Sequence, residues 1–294
     1  MAQPALDVFR SLDQALAAAV ASAAPSVVHV SRGRAGGTGI VWSPDLVISS
    51  SFHTPDETRI GIDGEADHRD AVVIGRDPGT DVALLRVTGG GLTPAKLREL
   101  DGLAVGNLAL AIGRPGRSAR ASLGAIGVLG TDVKTPYGGR LERYIESDRQ
   151  IPRGFAGGPL IDADGAVIGM TTRTLIRGSD LAVPVVTLRR VVAELEQHGG
   201  VRRGYLGVGA YPAQLPAASG YERGALVAGI EDDSPAAKAG LVVGDILVEL
   251  DGIAITGPDS LRSTLGDRPG QTVKTVLLRG GVKLELDMAI GSKP

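Results

Sequence analysis

A glycine-flanked turn ahead of a short apolar run is the segment of this sequence best suited to catalysis. It covers residues 154–160 and reads Gly-Phe-Ala-Gly-Gly-Pro-Leu. Such a turn can expose a nucleophile beside the backbone N–H groups of its own residues, which stabilise an oxyanion. The residue at its centre is Ala156, and an alanine methyl group cannot attack a carbonyl carbon. The turn therefore has the pattern of a catalytic nucleophile turn that lacks its nucleophile.

Two titratable residues upstream could work with this turn. His53 follows the strand-like run of residues 46–52, where a lone histidine is usually a surface or packing residue. Asp81 precedes the apolar run 82–85, where an aspartate is often only a turn residue. A carboxylate there can also accept the Nδ1–H of a histidine, which fixes the tautomer and stabilises the imidazolium formed during acyl transfer.

These segments together resemble the HtrA (DegP-like) family of trypsin-like serine proteases. Residues 154–160 resemble the family's Gly-Asn-Ser-Gly-Gly-Pro-Leu motif, and residues 37–45 resemble the run that leads to the catalytic histidine. Residues 77–85 resemble the family's Asp-Pro-x-Thr-Asp-Leu-Ala-Leu-Leu segment, and the order histidine, aspartate, nucleophile is that of the chymotrypsin-type fold. The resemblance implies that His53 is the general base, Asp81 its partner and Ala156 the nucleophile position.

The resemblance also implies an oxyanion hole and a specificity pocket. The hole would be formed by the turn residues Gly154, Phe155 and Ala156, with the N–H groups of the first and last as donors. Because Gln150 stands where trypsin has an aspartate, we expect a small or medium apolar residue before the scissile bond rather than Lys or Arg. The residues expected to form the pocket are Gln150, Ile151, Leu181, Ala182 and Val183.

Several residues depart from the family's pattern around this site. The family has small residues and Asn-Pro where this chain has Arg149, Gln150, Pro152 and Arg153. Phe155 replaces the family's asparagine, and Phe52 replaces the small residue before the histidine. Most of these departures lie in the expected wall of the pocket.

Short β-branched runs bounded by Gly, Pro and Asp turns dominate residues 25–200 and predict an all-β barrel or sandwich. The resemblance makes this a chymotrypsin-like double β-barrel in a mainly β chain. We expect an amphipathic helix in the Ala-rich segment before Pro25, and a closing helix capped by Thr187 and ended by Gly199 and Gly200. The expected domains are a helical segment at 1–24, a protease domain at 25–200 and a further domain at 201–294.

The last segment resembles a PDZ domain, a small α+β domain that follows the protease in HtrA proteins. Residues 204–208, Gly-Tyr-Leu-Gly-Val, resemble the loop and strand that receive a peptide C-terminus by strand addition. Ser234 and Pro235 predict the start of a short helix, and residues 258–265 predict the groove helix. Taken singly these motifs could belong to any small mixed domain. The residues expected to bind peptide are Tyr205, Leu206, Gly207, Val208, Leu261 and Leu265.

Composition excludes several classes of function. A net charge of -2 without a Lys/Arg cluster argues against nucleic-acid binding, and a chain without cysteine has no disulfide or zinc–thiolate site. His29, His68 and His198 have no partner at metal-ligand spacing, so we expect no metal and no cofactor. The apolar run Ala15 to Ala24 is preceded by acidic residues and is too short to span a bilayer, so we expect neither an export signal nor an integral membrane segment.

Two functions remain open. The first is an HtrA-like serine endopeptidase for protein quality control, which cleaves unfolded or damaged proteins and is inactive here because alanine replaces its serine. The second is a natural pseudoprotease that acts as a peptide-binding or chaperone-like module through its protease cleft and PDZ groove. The loss of a single oxygen favours the first, and the departures at Phe52, Arg149, Arg153 and Phe155 favour the second. The resemblance alone suggests a periplasmic or envelope location, and a homo-oligomer, by analogy a trimer, packed through the first helix and Phe9.

Overall fold

The structure is a computed structural model of the protein, and it describes residues 3–32, 35–65, 67–176, 178–266 and 268–293. Its contacts divide it into two compact units: Met1–Val133 with Leu141–Val201, and Lys134–Arg140 with Arg202–Pro294. This division differs from the expected one in two respects, because the N-terminal helix belongs to the first unit and the short segment Lys134–Arg140 belongs to the second.

Two closed six-stranded antiparallel barrels form most of the first unit, which confirms the predicted double barrel. In the first barrel the strand order is β1-β2-β3-β6-β5-β4, and in the second it is β10-β11-β12-β9-β8-β7. The strands are β1 (Val27–Arg32), β2 (Ala35–Val41), β3 (Leu46–Ser50), β4 (Glu57–Gly61), β5 (Arg69–Asp77), β6 (Val82–Val87), β7 (Leu108–Gly113), β8 (Arg120–Lys134), β9 (Arg140–Ser147), β10 (Pro159–Ile161), β11 (Val167–Ile176) and β12 (Ser179–Pro184).

Alternating β-branched and aliphatic residues give each barrel its own buried cluster. Val41, Ile60 and Leu85 belong to the cluster of the first barrel, and Ile126 and Ile168 belong to that of the second. A third and larger cluster joins strands of both barrels to the two helices of the unit. The barrels are therefore held side by side by apolar packing, which fixes the loops between them.

The helices of the first unit differ from expectation at one cap. Helix α1 covers Gln3–Ala23, within the helical segment expected at 1–24, and a 3-10 turn at Ala24–Ser26 follows it and contains Pro25. Helix α2 covers Val185–His198 and has Pro184 at its N-cap, so Thr187 is a buried residue inside the helix and not its cap. Gly199 ends α2 with φ 70°, as predicted for a left-handed glycine cap.

The second unit has the mixed α+β composition expected of a PDZ domain. Its main sheet has the order β14-β15-β16-β18-β19, β17 pairs with β16, and β13 pairs with β20. Ser234 caps α3 by accepting the Ala237 N–H at 3.2 Å, as its position before a proline predicted. The elements are β13 (Arg203–Tyr205), β14 (Val208–Gln214), β15 (Arg223–Ile230), α3 (Pro235–Lys238), β16 (Ile246–Leu250), β17 (Ile253–Ala254), α4 (Pro258–Leu265), β18 (Thr272–Arg279), β19 (Val282–Ala289) and β20 (Gly291–Lys293).

A buried ion pair makes the stability of the second unit sensitive to acid. Burial by itself disfavours the charged form of Asp245, but hydrogen bonds from Arg279 at 2.8 Å and from the Val242 N–H at 2.9 Å lower its pKa below the ordinary value. A lowered pKa contributes stability that is present above the ordinary pKa of Asp and is lost as pH falls through the lowered value. Calorimetry should therefore show the second unit melting earlier as the pH drops below about 4. The Asp245→Asn variant should show a weaker dependence on pH over that range, and an unchanged dependence would contradict the assignment.

Candidate active site

The fold brings the three predicted catalytic segments together between the barrels of the first unit. His53 follows β3, Asp81 directly precedes β6, and Ala156 lies in the turn before β10. A Cβ atom added at Gly157 would lie 2.5 Å from the carbonyl oxygen of Thr38 and 2.6 Å from the amide nitrogen of Ser50, so the turn packs directly on the middle of β2 and the end of β3. The predicted nucleophile position therefore adjoins the segment that carries the histidine.

Asp81 is fully buried and has its carboxylate surrounded by donors. Oδ1 accepts the Ser50 hydroxyl at 2.7 Å and the Phe52 N–H at 3.1 Å. Oδ2 accepts the hydroxyls of Thr172 at 2.6 Å and Thr174 at 3.0 Å. The backbone of Asp81 is also held at φ 58°, which is uncommon for a residue other than glycine. The carboxylate is therefore anchored from β3, from the turn after it and from β11.

His53 does not make the expected contact with this carboxylate. Its Nδ1 lies 2.8 Å from Ser50 Oγ, and the serine stands between the imidazole and Asp81. A carboxylate accepts hydrogen bonds only, so the single Ser50 proton points to Asp81, and His53 Nδ1–H must donate to Ser50 Oγ. The structure thus joins His53 to Asp81 through a hydroxyl, where the sequence predicted a direct hydrogen bond.

The turn before β10 contains the three residues expected to form the oxyanion hole. Gly154 has φ 82°, and Phe155 N–H donates to the Pro152 carbonyl at 3.2 Å, the pattern of a tight turn that needs glycine at its third residue. The N–H of Phe155 is thereby used, so only two of the three predicted residues can donate. Within the described part of the chain, the N–H groups of Gly154 and Ala156 have no hydrogen-bond acceptor.

A buried threonine holds this turn in place. The Thr38 hydroxyl donates to the Gly154 carbonyl at 2.6 Å and accepts the Arg114 N–H at 2.8 Å, and the Thr38 carbonyl accepts the Ser49 hydroxyl at 2.8 Å. The ring of Phe155 is buried against Gly113, where a Cβ atom would come within 2.4 Å of it. The turn is therefore fixed whether or not a nucleophile is present.

The predicted specificity pocket is almost filled. Its cavity has a volume of ≈ 10 Å³, which is room for one water molecule at most. Val183 does not line it, because this residue is fully buried in the large apolar cluster. Asp180 lies in its wall and accepts the Ile151 N–H at 2.6 Å. The lining includes the other four predicted residues, Gln150, Ile151, Leu181 and Ala182.

An open groove lies in the second unit between β14 and α4. Its volume is ≈ 350 Å³, and its lining includes all six residues predicted to bind peptide. In the described part of the sheet β14 has β15 as its single neighbour, so its other edge is open to an added strand. Among the described residues, the N–H groups of Leu206 and Gly207 have no acceptor, and Gly207 has φ 76°. The loop can therefore present two donors to a carboxylate.

Comparison with known proteins identifies both units. Residues 37–170 match the trypsin-like peptidase domain, and residues 204–290 match the PDZ domain. A probable periplasmic serine endoprotease, DegP-like, of Pseudomonas fulva is 34% identical over 272 residues, and one of Chlamydia pneumoniae is 32% identical over 274 residues. The chain belongs to the HtrA family of serine endoproteases.

Solved structures of HtrA proteins have the same fold over nearly the whole chain. The HtrA-type protease AlgW with a decapeptide is 26% identical, has a TM-score of 0.68, and is matched over 95% of this chain and 99% of its own. The serine endoprotease from Yersinia pestis is 25% identical with a TM-score of 0.66, matched over 94% and 97%. The two curated relatives are matched over 88% of this HtrA chain but only 56% and 55% of their own length, so the chain spans just over half of them.

Several residues that shape the HtrA site were not singled out from the sequence. Ser50, Thr172 and Thr174 bind the carboxylate of Asp81, and Thr38 holds the turn. Serine and threonine are so common in strands that their identity carries no signal. Only the alternation of Thr172 and Thr174 on β11 shows that both side chains point to one face.

Across the described ranges, no three His, Asp or Glu side chains are grouped closely enough to bind a metal ion. The rings of His29 and His68 do come together edge to face, with their centroids 5.5 Å apart, a pairing that the sequence spacing did not predict.

Among the described helices, none has the length and apolar character needed to cross a membrane.

Replacement of Gly157 by alanine should destabilise the first unit. The residue has φ 84°, and the new methyl group would lie within 2.7 Å of Thr38, Ser49 and Ser50 atoms. We expect a loss of about 1–3 kcal/mol in unfolding free energy. Urea denaturation followed by fluorescence of Trp42, the one tryptophan of the chain, would measure it in the first unit. Gly116→Ala, at an open position, is the matched control, and equal losses in both variants would contradict the argument.

Proposed function

We propose that this HtrA chain binds peptides without hydrolysing them, as a peptide-binding or chaperone-like member of its family. The observation that carries the proposal is Ala156, which puts a methyl group at the centre of the turn expected to form the oxyanion hole. Loss of the nucleophile costs on the order of 10⁶ in turnover in a well-studied serine protease. The serine bridge between His53 and Asp81 and the filled specificity pocket support the same conclusion.

The PDZ groove is the proposed binding site. A peptide would add as a strand to the open edge of β14, and its C-terminal carboxylate would accept the N–H groups of Leu206 and Gly207. Its last side chain would lie against the apolar residues Val208, Leu261 and Leu265. Unfolded or damaged proteins with exposed C-termini are the proposed ligands.

The second candidate is an endopeptidase that requires serine at position 156. The clamped Gly154 and the two N–H groups of the turn favour it, because these groups would stabilise a tetrahedral intermediate. A serine hydroxyl at 156 would attack the peptide carbonyl while His53 removed its proton. The relatives are named serine endoproteases, which makes this chemistry the family's own.

Location and assembly are also proposed from the relatives and the first helix. The curated relatives are named periplasmic, which supports the proposal that this chain works in the bacterial periplasm or cell envelope. Val8 and Phe9 on α1 are about two-thirds exposed, at 67% and 71%, which suits packing between subunits of a homo-oligomer such as a trimer. Light scattering of the full chain and of a Phe9→Glu variant would test this, and a monomeric parent would contradict it.

Peptide binding can be tested by fluorescence polarisation with the full chain. A labelled peptide with a free C-terminal carboxylate should bind about 10- to 100-fold more tightly than the same peptide with a C-terminal amide, because charge-assisted hydrogen bonds would be lost. Val208→Lys in the groove should weaken binding by at least about tenfold. Tyr211→Lys, on the exposed face of the same strand, is the matched control. Equal binding of the two peptides would contradict a carboxylate site.

A further inference from the structure

The backbone N–H that donates to the buried carboxylate of Asp81 belongs to Phe52 and not to His53. The ladder between β3 and β6 ends at the pair Ser50 and Val82, and the Ser51 N–H continues it by donating to the Asp81 carbonyl at 2.9 Å. The next N–H, that of Phe52, donates to the carboxylate oxygen Oδ1 at 3.1 Å. Position 52 is therefore the first beyond the ladder and faces the Asp81 side chain.

A histidine at this position could reach the carboxylate directly. The Cβ atom of a residue is only two bonds from its own amide nitrogen, and imidazole Nδ1 is two bonds beyond Cβ. A side chain that starts next to a hydrogen-bonded N–H can fold back onto the same carboxylate. Phe52 is 37% exposed and larger than histidine, so the exchange requires no new space.

His53 is instead engaged in the turn that follows β3. Its backbone N–H donates to the Ser50 carbonyl at 3.2 Å, and its Nδ1–H donates to the Ser50 hydroxyl at 2.8 Å. Both contacts are with one residue of the same turn, and the Ser50 hydroxyl stands between the imidazole and the carboxylate. The imidazole therefore stabilises the turn, and its ring lacks the direct carboxylate contact that stabilises an imidazolium.

We infer that position 52, occupied by Phe52, is the general-base position of this cleft and that His53 is a residue of the turn. The inference rests on the proposed absence of hydrolysis and deepens it, because the cleft then lacks both base and nucleophile. Two substitutions are needed to restore the reaction. The hydroxyl introduced at 156 attacks the peptide carbonyl carbon and passes its proton to Nε2 of the imidazole introduced at 52, and the imidazole then protonates the leaving amine as the C–N bond breaks. Water hydrolyses the acyl ester through the same base.

The first test uses a fluorophosphonate, which needs no specificity pocket. The serine oxygen displaces fluoride from phosphorus, and intact-mass spectrometry of the full chain measures the rate of labelling. We expect the variant Phe52→His with Ala156→Ser to be labelled at least about 100-fold faster than Ala156→Ser alone. Phe52→Leu with Ala156→Ser is the matched control and should remain as slow as the single variant. Labelling of Ala156→Ser alone at the rate of the double variant, abolished by His53→Gln, would overturn the inference.

A second measurement does not depend on turnover. In the ¹⁵N-histidine-labelled Phe52→His variant, nuclear magnetic resonance should show one new Nδ1–H proton shifted strongly downfield by the carboxylate, and this signal should disappear when Asp81→Asn is added. Without an Asp81-dependent signal, position 52 is not the base position, whatever the labelling rates. Peptide binding at the PDZ groove should be the same in all these variants. If the parent protein does not bind peptide at all, the proposed function is contradicted. The assignment of position 52 would still be tested independently by the Asp81-dependent proton signal.

Discussion

Peptide hydrolysis by the Ala156→Ser variant is expected to stay at least about 10⁴-fold below that of a DegP-like relative with a complete triad. The variant regains an oxygen beside the free N–H groups of Gly154 and residue 156. It does not regain the carboxylate–imidazole contact, because the Ser50 hydroxyl separates His53 from Asp81. Disruption of that contact in trypsin-like enzymes costs about 10⁴ in kcat, since the imidazole loses its orientation and the stabilisation of its charged form.

Casein and short peptides are the substrates for this test, offered to the parent, to Ala156→Ser, and to Ala156→Ser with His53→Ala. Peptides with glycine before the scissile bond should be included, because the ≈ 10 Å³ cavity excludes a larger side chain. Peptide ligands for the PDZ groove should be added, so that a protease domain that needs activation is not mistaken for one that lacks a functional catalytic site. Efficient cleavage by Ala156→Ser that is lost with His53→Ala would support the endopeptidase and contradict the non-hydrolysing module.

Replacement of Arg114 by methionine is expected to destabilise the first unit by about 2–4 kcal/mol. This arginine is only 1% exposed, and it joins the end of the N-terminal segment to the loop after β7. Its guanidinium donates to the carbonyl oxygens of Val27 at 2.7 Å, Arg117 at 2.7 Å and Ala24 at 3.2 Å, and to the Asp63 carboxylate at 2.8 Å. Methionine has similar length but no donors, so these acceptors would lose their partner.

Urea denaturation followed by Trp42 fluorescence would measure the loss, since this tryptophan packs against the main cluster of the first unit. The matched control is Arg117→Met, on an exposed residue of the same loop, which should change stability by less than about 0.5 kcal/mol. A similar effect of the two variants would mean that the buried hydrogen bonds contribute nothing beyond surface charge.

The fold was largely predictable because its signals are local. Short β-branched runs and glycine turns indicated a β barrel or sandwich, and the resemblance to HtrA proteins implied two barrels followed by a PDZ domain, which are confirmed. The start of helix α2 was less predictable. Thr187 is a residue type that often caps helices, but Pro184 is the N-cap and the helix starts before Thr187.

The sequence by itself determined that residue 156 has no nucleophilic oxygen, that glycines allow a tight turn around it, and that a histidine and an aspartate stand in the right order. The sequence does not determine which side chain forms a hydrogen bond with the Asp81 carboxylate. That depends on the register of β3 against β6 and on one turn, where a shift of a single residue exchanges Phe52 and His53 at the carboxylate. Only the tertiary structure places the Ser50 hydroxyl between His53 and Asp81 and closes the pocket to ≈ 10 Å³, because these distances arise from packing between segments far apart in the chain.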